Sequence, residues 1–237
     1  MADKNNLIGD LISTAKTRPD EKYRRHDPLV WVLSNDLNES ARWLSDKYLD
    51  KSIKNAVQML LCTKYYQIGI RNGRLFNIYF VKGNLNKDIN VPDPLRDLIY
   101  DIVHIEGKFV FRFINYDSHT AKWTRKCKEN CKFIEDVLLV YLQEYIRRGK
   151  SHKLNDVGLY LISTLPASER LPSNKTGKRM LYEPKNIPHR FLKGLKLNED
   201  DIWKGYRRHY AYRIKDISLE YRNSKADIPE WLINDVV

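Results

Sequence analysis

The sequence predicts a mainly α protein: a single helical domain with a small inserted β-hairpin element. Three observations carry that expectation. Residues 121–148 repeat apolar side chains at spacings of three and four, from Trp123 through Cys127, Cys131, Ile134, Leu138 and Tyr141 to Tyr145. Residues 38–63 show a second helical period. In contrast, the aromatic-rich segments 74–82 and 108–114 alternate with period two, as strands do.

Taken in order, residues 1–28 carry mixed charge and only a short amphipathic piece from Leu7 to Ile12, and read as an N-terminal arm. Residues 29–237 form the helical domain. The apolar run 29–33 (LVWVL) suits a buried strand or extended segment. In the helix expected at 38–63, capped by Ser40 or Asn38, one face gathers Leu49, Ile53, Ala56, Val57 and Leu60. The opposite stripe carries Tyr48, Lys51, Asn55 and Gln58. Gly69 and Asn72-Gly73 end that pattern and open an inserted α/β element, 64–118. Its two strands are able to pair, with a short helix near 95–104 introduced by Pro92 and Pro94. The long helix 121–148 stops at Gly149. A proline-rich loop spans 165–196, a last helix runs from about Glu199 to Arg222, and the chain closes on DIPEWL.

The 237 residues carry a net charge of +12. Residues 119–225 hold 24 Lys+Arg against 12 Asp+Glu, while the rest holds 18 of each. The whole excess lies in the C-terminal half, the footprint expected for a polyanion: nucleic acid first, with an acidic protein or an anionic membrane surface as alternatives. No apolar run is long enough for a membrane span. The N-terminus lacks a continuous apolar stretch and carries Asp3 and Asp10, so no secretory or transit signal is expected. Three cysteines do not make a disulfide framework, and an intracellular, reducing compartment follows.

Cys127 and Cys131 stand at a spacing that can chelate a metal, yet both lie on the apolar stripe with no neighbouring ligand to complete four. Buried thiols and no metal are expected. No phosphate-binding loop, dinucleotide fingerprint or nucleophile elbow occurs, and no cofactor is expected. His119 and His152 bracket the long helix. Arg147, Arg148, Lys150 and Lys153 follow Glu144 and Tyr145 at its end, placed either to contact phosphates or to complement the helix dipole. From Trp203 to Arg213, aromatics and cations interleave (Tyr206, Arg207, Tyr210, Arg213), as in grooves where bases stack between phosphate contacts. The same spacing also fits an amphipathic helix with its tyrosines in the core.

Several spaced residues together resemble a family of phage and large-virus proteins. Asp46-Lys47-Tyr48-Leu49-x-Lys51 followed by Gln58-Met59-Leu60 is similar to its Asp-Lys-His-x-x-Lys and Glu-x-x-Gln-Met/Leu-Leu pattern. A second block matches at His119, Trp123, Arg125, Asn130, Glu144-Tyr145, Arg148, Lys150 and His152-Lys153, and a third at Pro188, Tyr206-Arg207, Tyr210, Pro229 and Trp231. That family more distantly resembles pyrimidine-dimer DNA glycosylases of the endonuclease V type, which bend duplex DNA and flip a base. The resemblance implies a nucleic-acid-binding protein, DNA ahead of RNA. Tyr48, Lys51, Asn55 and Gln58 would line a base or sugar pocket, and Arg125, Arg147, Arg148, Lys150, Lys153, Arg207 and Arg213 would meet phosphates. The motif's glutamate is Asn55 here, its histidine is Tyr48, and an arm precedes the domain. An amide can neither take up a proton nor offset a cationic sugar, so the implied frame is one with catalysis lost or moved. The alternative is an active glycosylase/lyase with Lys47 or Lys51 as the amine and Glu144 as the carboxylate. A second alternative is a structural subunit of a viral or ribonucleoprotein assembly, docked through the arm.

Overall fold

A computed structural model of the chain describes residues 30–67, 77–81, 84–85, 110–112, 118–163, 167–182, 185, 187–214 and 217–234. The arm, the helix expected at 95–104 and most of the inserted element lie outside the described residues. What is described is mainly helical. Strand β1 (Asn77–Val81) runs antiparallel to β2 (Asn84–Leu85) and to β3 (Val110–Arg112), with Asn77 opposite Arg112.

The expected helix at 38–63 is two. Helix α1 (Leu37–Trp43) is capped by Asp36, not by Ser40 or Asn38; its carboxylate accepts the N–H groups of Asn38 and Glu39. Helix α2 (Asp46–Gln67) follows after Leu44 turns to an extended conformation. The break is held from outside: the Tyr210 hydroxyl accepts the Ser45 N–H at 2.9 Å, and Arg148 donates to the Leu44 carbonyl at 2.8 Å. Helix α2 is central. Leu49, Ile53, Ala56, Val57 and Leu60 are buried as expected, but so are Tyr48, Ser52 and Asn55, and every residue from Met59 to Lys64. From Met59 to Lys64 the helix is walled in on all sides, while Lys47, Asp50, Lys51 and Lys54 keep one arc of its first turns open.

The long helix is likewise split, into α3 (His119–Thr124) and α4 (Lys128–Arg147). In an unbroken helix the Cys127 N–H would bond the Trp123 carbonyl. That carbonyl instead accepts the Asn130 side chain at 2.8 Å, and the Lys128 N–H is drawn to the Pro172 carbonyl at 2.9 Å. The apolar spacing runs through this break, which is why periodicity alone cannot see it. At the far end Gly149 adopts φ +77, with Lys150 N–H bonded to the Tyr145 carbonyl and Gly149 N–H to the Ile146 carbonyl. These two bonds close α4 in the left-handed termination that favours glycine.

Helix α5 (Asn155–Ser163) and a 3-10 turn (Ala167–Arg170) pack on α4, the turn being tied by Ser168 to the buried Glu135 carboxylate. Short α6 (His189–Leu192) lies on α7 (Glu199–Arg213), which is capped by Asn198 and opens with three acids, Glu199, Asp200 and Asp201. The approach is close: a Cβ on Gly205 would stand 2.7 Å from Leu192 Cδ2 and 3.3 Å from Ile187 Cδ1. The last helix ends at Arg213 instead of Arg222, and α8 (Ile217–Tyr221) and α9 (Glu230–Asn234) are separate pieces.

The run 30–33 is fully buried, lies outside any helix, and pairs with no strand among the described residues. Buried backbone groups still require partners, and side chains from distant helices supply them. Trp31 N–H donates to Ser52 Oγ at 3.0 Å, and Leu33 N–H to Ser40 Oγ at 2.9 Å. The carbonyls of Val30, Trp31 and Leu33 accept from Tyr182 Oη, Tyr141 Oη and Arg207 Nε at 2.7–2.8 Å. This strap threads the middle of the domain. Trp31 packs on Tyr48, His209 and Tyr210 with ring centroids 5.1–5.5 Å apart.

Candidate functional site

Residues far apart in sequence meet where the start of α2 faces the end of α4. Asp46 and Asp50, one turn apart on α2, form a stripe toward α4. Asp46 accepts from Arg148 Nη1 at 2.8 Å, from Lys150 Nζ at 2.5 Å and from Ser224 Oγ at 2.9 Å. Arg148, with a side chain 0% exposed, also bonds Glu144 through Nε at 2.7 Å. Its remaining N–H groups reach the carbonyls of Ala41, Arg42 and Leu44. Arg147 grips the same Glu144 with two bonds, at 2.6 and 2.8 Å. One turn further along α2, Asp50 lies 3.2 Å from His152 Nε2 and 3.5 Å from the Tyr145 hydroxyl.

Burial acts to raise both central carboxyls, but the hydrogen bonds of Lys150, Arg148 and Ser224 hold Asp46 below its ordinary 3.8. Those of Arg147 and Arg148 do the same for Glu144 against 4.5. A carboxyl with a lower pKa folded than unfolded adds stability that is complete above the unfolded value and is lost as pH falls through the folded one. Urea midpoints are therefore expected to fall on the acid side of about pH 4. A Glu144→Gln variant is expected to start less stable at neutral pH and to lose less on acidification. An equally steep acid loss in that variant would refute the assignment. For His152, burial lowers the pKa and outweighs the raising effect of Asp50, helped by Lys54 and Lys153, so the ring is neutral near pH 7. Nδ1 accepts the Leu154 N–H at 3.0 Å, which leaves the ring proton on Nε2, toward Asp50.

The residues expected to act fall into groups. Glu144, Arg147, Arg148, Lys150 and His152 are brought together. Lys47 lies beside them but points outward, its side chain 69% exposed and 3.4 Å from Glu220. Arg148 and His152 are buried, so in this conformation they position neighbours instead of meeting a ligand directly. Arg147, Lys150 and Lys153 are exposed at the rim. Lys51, Asn55 and Gln58 share a stripe of α2 with Tyr48, turned away from the Asp46–Asp50 stripe. Tyr48 and Asn55 on it are buried, Tyr48 between Trp31 and Tyr210. Lys51 and Gln58 on the same stripe are half-exposed.

Tyr206 and Tyr210 are 0% exposed, so in this conformation neither ring is open to solvent. Arg207 is half-buried, its guanidinium 5.1 Å from the Trp43 ring and 5.9 Å from Trp231, and it anchors the strap. Arg213 accepts the Tyr48 hydroxyl at its carbonyl, 3.4 Å away. His119 and Arg125 sit at the other end of α4, whose 20 residues span about 30 Å, and do not join the cluster.

Asp46, Asp50 and Ser224 complete the cluster without having been singled out as site residues. The i, i+4 spacing of the two aspartates was the available signal. Beside the cluster an open cleft of about 450 Å³ lies between α1 and α4. Asn38, Arg42, Gln143, Glu144 and Arg147 line it over an apolar floor of Ala41 and Val140. Cys127 and Cys131 are free, buried thiols whose pKa values burial raises. Among the described residues no His, Cys, Asp and Glu gather to hold a metal ion, and no helix is long and apolar enough to cross a membrane. No family model, curated protein or solved structure matches the chain.

Proposed function

We propose that the protein binds nucleic acid, duplex DNA ahead of RNA, through the exposed cations at the end of α4, on a frame similar to that of the pyrimidine-dimer glycosylases. The supporting observation is convergence. The motif residues Asp46, Arg148 and Lys150, 102 and 104 residues apart in sequence, meet at one charged junction. Glu144, Tyr145 and His152 surround it, and Arg147, Lys150 and Lys153 form its exposed rim. Buried Arg148 and the two aspartates hold the frame, and the rim meets phosphates. The insertion at 64–118 is read as a small β unit, supported by the antiparallel pairing of β1 with β3. The arm at 1–28 is read as a site for protein assembly.

The lyase alternative has less support. Glu144 is committed to two guanidiniums, and Lys47 is exposed and paired with Glu220 instead of desolvated. Borohydride treatment with an abasic duplex is expected to trap no covalent adduct.

The binding reading is tested by fluorescence anisotropy with undamaged and thymine-dimer duplexes at two salt concentrations. Affinity is expected to fall steeply with salt, and a Lys150→Ala/Lys153→Ala variant to bind with a salt slope smaller by about 2. Absence of binding at low salt would overturn the reading.

A further inference from the structure

Sequence spacing points the nucleic-acid contacts of α7 to Tyr206, Tyr210 and Arg213, a stripe that turns inward. The opposite stripe, at i, i+4 and i+8, carries Lys204, Arg208 and Tyr212. Lys204 and Arg208 are exposed and Tyr212 half-buried. Helix α6 and the turn after it lie alongside and add Arg190, Lys193 and Lys196, all exposed.

The two segments are locked together. Arg208 Nη1 donates to the Lys193 carbonyl at 3.3 Å. The Arg190 guanidinium lies 4.1 Å from the Tyr212 ring centre and 4.5 Å from that of Phe191. Phe191 in turn stacks on buried His209, 4.9 Å away and 17° from parallel. The cations thus stand on an aromatic footing, and Leu192 and Ile187 beside it pack against Gly205.

The charge is one-sided. Neither 185–196 nor 204–213 contains an aspartate or glutamate. In sequence Glu183 and Asp216 flank the two segments, and Glu199, Asp200 and Asp201 open α7. Asp201 is engaged there by Lys204 at 3.0 Å and by the Lys196 N–H at 2.9 Å, and Glu199 by Arg179. A ledge of cations on fixed supports, with no carboxylate in its own segments, suits a chain of phosphates. An arginine held against aromatic rings has already lost rotamer freedom and gives up less on binding. The aromatics beneath are covered by Arg190, so the ledge offers charge instead of a base-stacking platform.

We propose that this α6–α7 ledge is a second phosphate-backbone contact of the bound nucleic acid, carried by Arg190, Lys193, Lys196 and Arg208. The proposal rests on the nucleic-acid reading above but concerns a surface apart from the α4 rim. Contacts of this kind set register and affinity and carry no sequence information. Each phosphate contact removed from duplex DNA lowers the slope of log K against log salt by about 0.9.

The test is anisotropy titration of the full chain across a salt series with an undamaged 30-base-pair duplex. Wild type is compared with Lys193→Ala/Lys196→Ala/Arg208→Ala and with Lys150→Ala/Lys153→Ala, and the fold of each is checked by circular dichroism. The ledge variant is expected to lose about 2–3 units of slope and at least roughly tenfold in affinity, while the rim variant loses its own share. Because Arg208 bonds the Lys193 backbone, a Lys193→Glu/Lys196→Glu variant, which leaves that bond in place, provides the second reading and is expected to weaken binding further. A wild-type response from both ledge variants, with the rim variant weakened, overturns the ledge and leaves the nucleic-acid reading standing. If wild type binds no nucleic acid at low salt, the nucleic-acid reading falls and the ledge with it. Binding to phosphatidylserine vesicles in place of DNA likewise overturns both.

Discussion

Replacing Arg148 with alanine is expected to cost about 3–5 kcal/mol, as when one partner of a buried ion pair is removed. That is a large part of the stability of a typical domain. The side chain is 0% exposed and its N–H groups serve several elements at once. They cap the last carbonyls of α1 at Ala41 and Arg42, fix the Leu44 carbonyl at the break, and neutralise Asp46 of α2 and Glu144 of α4. Alanine leaves three carbonyls without this donor and two carboxylates short of one partner each. Lysine recovers little of the loss, since one ammonium cannot reproduce a planar fork with five donors. The neighbouring Arg147→Ala, whose side chain is 52% exposed, is expected to change stability by no more than about 1 kcal/mol. Urea unfolding of the three variants provides the comparison. An Arg148→Ala loss no larger than that of Arg147→Ala would show that the junction is not a keystone of the fold.

The second large effect is expected at Trp31. The ring is fully buried among Tyr48, His209 and Tyr210, at the centre of a strap whose backbone is bonded from both directions. Trp31→Ala removes the largest buried side chain type and leaves a cavity, for an expected loss of about 3–5 kcal/mol. Trp31→Phe is expected to cost markedly less. It keeps an aromatic filler and removes an indole N–H that finds no hydrogen-bond acceptor among the described residues. Equal losses in the two variants would mean that the indole itself, and not the filling of space, holds the strap.

Much of the helical framework could be read from the sequence, because apolar spacing reports which residues face inward. The faces of α2 and α4, the end of α4 at Gly149 and the start of α7 near Glu199 follow from it. The breaks do not. Those after Trp43 and Thr124 are produced by Tyr210, Arg148, Asn130 and Pro172, residues that compete for the backbone groups of the helix, most of them from far along the chain.

The site was partly legible. A crowd of cations after Glu144 was visible, but which of them are buried was not. Arg147 and Arg148 are neighbours in sequence, yet α4 turns one outward and the other between α1 and α2. Interleaved aromatics and cations in α7 look alike on both faces. Only the packing of α6 and the strap shows that Tyr206 and Tyr210 point inward while Arg208 points out.

The strap also has a consequence for the order of assembly. Its backbone partners lie 7 to 174 residues downstream, the last being Arg207. Contacts of such separation form late and raise the contact order, so strap variants belong with those that hasten unfolding instead of slowing folding. On a ribosome adding roughly 5–20 residues per second, the strap precedes its last partner by about 9–35 seconds. Until then Val30 to Leu33, an apolar segment, have only their nearer partners to bond, Ser40 and Ser52 first.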